Sequence, residues 1–315
     1  MEIVEAGYKE YAYIVQNTYH VFGSAAFNQI NEDKVDAVYY LLFKDGKYRL
    51  GIIGGIRNNI FQSPFSAPFG GFSFIQDDIR ISYIDEAIQL MENWAKSKNL
   101  DGIKITLPPT IYQPSFLAKQ INSLYRNRFL INSIDLNYAY ALQKFNADYA
   151  ASIWYNARKN LKIALQNDFS FKQCENSIEQ QTAYNIIKQN REARGFPLRM
   201  TWEQVQLSAS IIKADYFLVK NNKNIPIAAA IVFHVTASIV QVIYWGDLPD
   251  FAQLKTMNFL SFKVFEFYKQ AQIEIIDIGP STENSIPNYG LCEFKESIGC
   301  DISEKLSFYK KINDN

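Results

Sequence analysis

Apolar positions along the chain repeat one order of elements twice. In the second half, Phe169 to Cys174 alternates as a half-buried strand does, and Ser177 with Gln180 forms a capping box opening a helix that ends at Gly195 and Pro197. Thr201 and Gln204 open a second helix in the same way. Three strand-like runs, Tyr216 to Lys220, Ile225 to His234 and Ile239 to Trp245, are separated by short polar turns and predict an antiparallel meander. Leu254, Met257, Leu260, Val264, Phe265 and Tyr268 then fall on one helical face. A buried strand is expected at Glu274 to Ile278, a helix from Pro287 to Ile298, and a closing strand from Ile302 to Phe308.

The first half gives the same order. Glu2 to Ala6 reads as a strand, Tyr8 to Val21 as a helix, Ala37 to Phe43 and Tyr48 to Arg57 as strands, and Phe61 to Phe74 as a loop with strand fragments. Ile84, Ala87, Ile88, Met91 and Trp94 share a helical face ahead of a strand at Gly102 to Leu107, a helix at Pro114 to Tyr125 and a strand at Phe129 to Leu142. Pro108 and Thr110 correspond to Pro280 and Thr282, as a duplicated plan requires. Helical stripes followed by unbroken apolar strands predict an α/β fold of α+β character, a mixed sheet with helices on both faces in each lobe. The expected domains are 1–145 and 146–315, with 146–168 a basic helix linking them.

Composition narrows the function classes. The chain has 315 residues, 48% of them apolar, enough for two cores. Its 32 basic and 32 acidic side chains cancel, so it has no electrostatic reach toward DNA. The acidic, polar N-terminus lacks a secretory pattern, and the longest apolar run, Ile225 to Phe233, is far short of a membrane span, so a cytoplasmic protein is expected. Cys174, Cys292 and Cys300, with His20 and His234, have neither disulfide nor metal-ligand spacing, and no metal is expected.

Three stretches carry a resemblance. Ala157-Arg158-Lys159-Asn160-Leu161-Lys162-Ile163-Ala164, Asp277-Ile278-Gly279-Pro280-Ser281 and Phe294-Lys295-Glu296-Ser297-Ile298-Gly299-Cys300, in this order and within this element plan, resemble the FemAB-like transferases, which are built from two tandem GNAT (acyltransferase-like) domains. The resemblance spans essentially the whole chain. It implies attack by an amine or hydroxyl on an activated acyl or aminoacyl donor, held in a cleft between or beside the lobes. Such chemistry needs positioning, oxyanion stabilisation and management of one proton. The glycine-rich loop with which acetyltransferases hold the coenzyme A pyrophosphate is not recognisable in either lobe: after Gly246-Asp247-Leu248-Pro249 no glycine recurs before Gly279. Acyl-CoA therefore stays open as donor, and aminoacyl-tRNA ranks below it because the chain is neutral.

Candidate site residues follow from local chemistry. The loop Gln62 to Gly71 reads as a cleft wall, with Ser63 and Ser66 as hydrogen-bonding groups, Phe65 and Phe69 as stacking surfaces and Gly70 allowing close approach. Ser281 and Asn284 could bind an acceptor, and Asp277 or Glu283 could take a proton from an attacking amine, because they follow the C-terminal end of a buried strand. Lys295 could neutralise an oxyanion, Tyr244 could protonate a leaving group and Trp245 could face the cleft. Arg158 and Lys162, four apart on one helical face, could hold an anionic acceptor such as a nucleotide-linked sugar. The cluster Arg191, Arg194 and Arg199 is explained by the negative end of its helix. The leading expectation is transfer to an amine or hydroxyl of a cell-envelope precursor, an amino sugar or peptide. The alternative is a non-catalytic sugar- or peptide-binding protein on a degenerate tandem scaffold.

Overall fold

The computed structural model describes residues 1–312 and realises the doubled order. The first copy is β1 (Glu2–Ala6), α1 (Tyr8–Ile14), α2 (Ala25–Gln29), β2 (Ala37–Asp45), β3 (Lys47–Arg57), β4 (Ile60–Ser63), β5 (Ser73–Phe74), α3 (Ile81–Ser97), β6 (Gly102–Thr106), α4 (Pro114–Arg126) and β7 (Leu130–Ala141). Two short helices, α5 (Tyr149–Ser152) and α6 (Tyr155–Leu165), lead into the second copy. It comprises β8 (Ser170–Gln173), α7 (Ser177–Ala193), α8 (Trp202–Ala209), β9 (Ala214–Lys220), β10 (Pro226–His234), β11 (Ile239–Asp247), α9 (Thr256–Gln270), β12 (Ile275–Pro280), the two-residue strands β13 (Thr282–Glu283) and β14 (Ile286–Pro287), α10 (Tyr289–Ser297) and β15 (Asp301–Lys311).

The compact units depart from the expected cut after residue 145. One unit is Met1–Leu136 with Thr282–Ile286 and the chain from Ser303 onward; the other is Asn137–Ser281 with Pro287–Ile302. The hydrogen bonds supply the reason. The closing strand of the first copy, β7, pairs through Asn137 to Ala141 with β12, whereas the closing strand of the second copy, β15, pairs through Ser307 to Lys311 with β6. Each copy has lent its last strand to the other unit.

In the first unit the strand order is β1-β2-β3-β4-β6-β15, with β5 on β3. Ile84, Ala87, Ile88, Met91 and Trp94 on α3, with Phe116, Leu117 and Leu124 on α4, bury one sheet face against Leu41, Phe43, Ile103 and Ile105. Tyr11 and Ala25, from α1 and α2, cover the other face at Leu42 and Ile53. Each such fully buried large side chain contributes about 1.5–3 kcal/mol. Gly54 is required by close approach: a Cβ there would lie 2.2 Å from the Phe61 ring.

In the second unit the order is β7-β12-β11-β10-β9-β8. Ile276, Ile278, Val240 and Val242 point toward α9 and α6 and join Tyr140, Leu260, Val264, Phe265 and Leu161 in one core. Alternation along a strand sends the intervening residues, Asp277 and Gln241, to the opposite face.

Three local expectations are corrected. The Tyr8 to Val21 helix stops at Ile14; after Asn17 and Thr18, His20 instead caps a separate turn by accepting a hydrogen bond from the Gly23 amide at 3.1 Å. The cap of α7 is Asn176 rather than Ser177, accepting from the Glu179 amide, while the Glu179 carboxylate reaches back to the Glu175 amide. The linking helix is two, separated by Ile153 and Trp154.

Candidate active site

Each unit contains a parallel strand pair within an otherwise antiparallel set. In the first unit β4 runs alongside β6 from Ile60 to Ser63. The following segment then folds inward, with the Gly70 amide on the Thr106 carbonyl at 2.8 Å and Phe65, Phe69 and Phe72 almost wholly buried. The rings proposed as stacking surfaces are core: His20, Phe22 and Tyr112 cover Phe69. The Ser63 hydroxyl donates to the Ile53 carbonyl and accepts from the Gly71 amide, and Ser66 is tied to Asn31 and Lys34. A Cβ on Gly70 would strike the Pro64 nitrogen and the Ser63 hydroxyl at 2.8 Å, so this glycine serves loop packing. Phe65 and Phe69 are therefore core side chains rather than the walls of a cleft, because an apolar loop of this length finds more stabilisation inside the unit than on its surface.

In the second unit β11 and β12 pair only from Ile239 to Gln241 and Ile275 to Asp277, and then part. Bulges interrupt the β10–β11 ladder at Ile231 and Val232 and the β7–β12 ladder between Asp277 and Gly279, bending both strands beside the parting point. Here Asp277, wholly buried, accepts from Asn137 Nδ2 at 2.8 Å, Gln241 Nε2 at 2.7 Å and the Gly279 amide at 2.8 Å. That environment fixes Asp277 as an anchor for the two amides rather than as a base presented to substrate, which corrects the proton-accepting role expected of it.

Lys295, on α10, is 3% exposed, and its ammonium donates to the carbonyls of Ile278, Gly279 and Pro280 at 3.0, 2.8 and 3.1 Å. It also lies 5.3 Å from the Tyr138 ring centre. Burial pushes its pKa down to about 8, against the pull of Cys300 and Asp277, with Arg191 adding to the depression. Arg191 is itself lowered, first by burial and then by Arg194 and Arg199, while Tyr244 pulls it back up. Burial raises Tyr244, opposed by a hydrogen bond with the Met200 backbone and by Arg191. Of the arginines that the helix end explained, Arg191 is thus an electrostatic neighbour of both Tyr244 and Lys295, Arg199 of Tyr244, and Arg194 is paired with Asp247 at 3.8 Å.

The remaining candidates are placed plainly. Ser281 is buried beside this group, its carbonyl 3.7 Å from Cys292 Sγ. Glu283 and Asn284 are exposed on the β13–β14 hairpin, grouped with the first unit. Trp245 packs edge-on against Phe294 on the α9 side, away from Asp277. Arg158 and Lys162 are exposed on α6, whose buried residues Ala157, Leu161 and Ala164 join that same α9-side core, so they are not brought to Asp277. Asn137 and Gln241 escaped the sequence reading, although one polar residue inside each of two apolar strands, Ile239-Val240-Gln241-Val242 and Ile275-Ile276-Asp277-Ile278, was a signal that something polar lay between them.

Ahead of α9, Asp247 at the end of β11 is held by side chains from two helices. Thr256 Oγ1 donates to Asp247 Oδ2 at 2.6 Å, Asn190 Nδ2 donates to its carbonyl at 2.6 Å, and Lys255 at the helix cap is left-handed. Arg194 lies 3.8 Å from Asp247 Oδ1, so this buried carboxylate is held by an ion pair as well as by its hydrogen bonds. Among the described residues, no group of metal ligands is found and no helix is long and apolar enough to cross a membrane.

No protein-family model matches the sequence, and no curated protein matches it. Solved structures do. FemX aligns over 99% of this chain and 97% of its own, with a TM-score of 0.70 at 13% identity. L-PGS from Bacillus licheniformis aligns over 98% and 94%, with a TM-score of 0.61 at 11% identity. A tandem GNAT protein from the clavulanic acid biosynthesis pathway aligns over 100% and 99%, with a TM-score of 0.52 at 6% identity. The element order repeated in sequence and these full-length likenesses agree: the chain has the tandem fold seen in FemX and in the tandem GNAT protein.

Proposed function

We propose that this protein is an acyl- or aminoacyl-transferase of FemAB-like type, with its reaction centre in the second unit where β11 and β12 part, and with an amine or hydroxyl of a cell-envelope precursor as acceptor. The observation carrying this reading is the buried Lys295 ammonium at the C-terminal end of β12. A positive charge fixed there in low dielectric favours the oxyanion that develops when a carbonyl is attacked. All three of its donors are held by backbone carbonyls, so it acts by its field and keeps the turn after β12 in place. Tyr244, beside Arg191, is the candidate proton donor to the leaving group. Arg191, next to Tyr244, suits the anionic part of an acceptor such as a nucleotide-linked sugar. The absence of a glycine-rich loop between Gly246 and Gly279 favours a donor other than coenzyme A.

The test is turnover by the whole chain with a panel of charged tRNA and acyl-CoA donors against nucleotide-linked amino sugars and peptides. Transfer that falls about a hundredfold or more in Lys295→Met supports the reading, since loss of one oxyanion-stabilising group costs about 10²–10³. Transfer undiminished in that variant refutes the assignment. The missing glycine-rich loop also favours a second reading, a binding protein without turnover, which predicts acceptor binding by calorimetry and no product with any donor.

A further inference from the structure

A cavity in the second unit shares no residue with the group around Lys295. It measures about 170 Å³ and opens where the end of α6, the β9–β10 turn and the turn before α9 meet. Gln166, Asp168 and Asn222 line it with exposed side chains that make no hydrogen bond or ion pair among the described residues. The other lining residues, Asn167, Phe169, Asn221 and Leu254, are half-buried.

The backbone fixes two of the amides. Asn167 Nδ2 donates to the Ile163 carbonyl in the last turn of α6 at 3.0 Å, which leaves its oxygen as the free acceptor. Asn221 Oδ1 accepts from the amides of Lys223 and Ile225, both at 3.0 Å, which leaves its NH₂ as the free donor. The Asp168 carboxylate adds further acceptors. Phe169 and Leu254 supply an apolar part, with the Phe169 ring held edge-on against Phe259 at 5.3 Å. Among the described residues no Lys or Arg lines the cavity, so it does not suit a phosphate. A simple cation would leave the Asn221 NH₂ beside a group that cannot accept. What matches acceptors, a donor and an apolar part together is a ring carrying several hydroxyls, since each hydroxyl both donates and accepts while the ring's C–H groups are apolar. The volume lies below the roughly 300 Å³ at which pockets for drug-sized ligands begin, which suits a single ring.

We infer that this cavity binds one neutral sugar ring, with Asp168 and Asn167 accepting from its hydroxyls, Asn221 donating to one of them, and Phe169 and Leu254 against its C–H groups. The site uses none of the residues proposed for transfer, so it goes beyond that reading and does not depend on it. Gln166 and Asn222, exposed and able both to donate and to accept, complete the contacts from the solvent side.

The experiment titrates the whole ¹⁵N-labelled chain with methyl β-glucoside and, separately, with methylammonium and with inorganic phosphate. The side-chain NH₂ resonances of Gln166, Asn221 and Asn222 are expected to shift saturably in the millimolar range with the glucoside and to stay fixed with the two ions. Asp168→Ala, at an exposed position, is expected to weaken glucoside binding about tenfold, the value of a hydrogen bond to a charged group, and Gln166→Ala about threefold. No saturable response to the glucoside, a response to methylammonium or phosphate as large as that to the glucoside, or a glucoside affinity unchanged in both variants overturns the inference. Glucoside binding by a chain that transfers no donor leaves the sugar site standing while the transferase reading falls; transfer without glucoside binding does the reverse.

Discussion

Replacing Lys295 by Met tests the electrostatics of the site through stability alone, with no substrate needed. In the unfolded chain this lysine titrates near its ordinary 10.5, and in the fold near 8. Between those values the unfolded state binds one proton more than the native state, so this group makes the protein more stable as pH rises through the window. Below about 8 the buried ammonium is a standing cost. A full one-proton difference gives a slope of about 1.4 kcal/mol per pH unit, and the gap between the two values amounts to about 3 kcal/mol. The buried tyrosines and Cys174 oppose this trend, because burial raises their pKa values. Those groups are unchanged in Lys295→Met, so the difference between the two proteins isolates the lysine. Urea unfolding followed by circular dichroism from pH 7 to 10 supplies the curves. The expected result is a wild-type curve that gains about 3 kcal/mol on the variant across the window, whatever constant offset the three orphaned carbonyls add. Parallel curves would refute the depressed pKa and with it the low-dielectric site.

Other outcomes follow from packing and hydrogen bonding. Thr256→Val leaves one oxygen of buried Asp247 without its donor and is expected to cost about 1–3 kcal/mol in urea unfolding. Gly54→Ala drives a methyl into the Phe61 ring and is expected to lower stability by about 1–3 kcal/mol, read as a drop in Tm. Phe69→Ala, a cleft-wall residue on the sequence reading but a core residue here, is expected to cost about 3–5 kcal/mol. Asp215 accepts from Gln173, His234 and Tyr268; these bonds outweigh its burial and hold its carboxyl below the ordinary 3.8. Its contribution is present above that value and lost as pH falls through the lower native pKa, so acid unfolding of Asp215→Asn should be flatter than that of the wild type below about pH 4.

The fold was legible because its signals are local. The stripe Ile84, Ala87, Ile88, Met91 and the run Ile239 to Trp245 declare their elements within a dozen residues, and they occur twice in the same order. The exchange of β7 and β15 was hidden, since which strand a closing segment pairs with depends on partners more than a hundred residues away. Half of the site was legible on the same grounds. Asp277 and Lys295 stood out as charges in apolar surroundings. Asn137 and Gln241 did not, because an amide in a strand gains meaning only from the carboxylate that turns it. The Phe65 and Phe69 loop misled for the converse reason: proline, glycine and aromatic residues mark a binding loop and a buried plug alike, and only tertiary packing separates them.

The central claim is that chemistry resides where β11 and β12 part. Its most direct test compares, in one transfer assay and with folding checked by circular dichroism, Lys295→Met against the α6 double variant Arg158→Ala, Lys162→Ala. The account predicts a loss of about a hundredfold or more in the first and a rate within about twofold of wild type in the second, whose side chains are exposed on α6. The opposite pattern, with Lys295→Met active and the α6 variant silent, would contradict it.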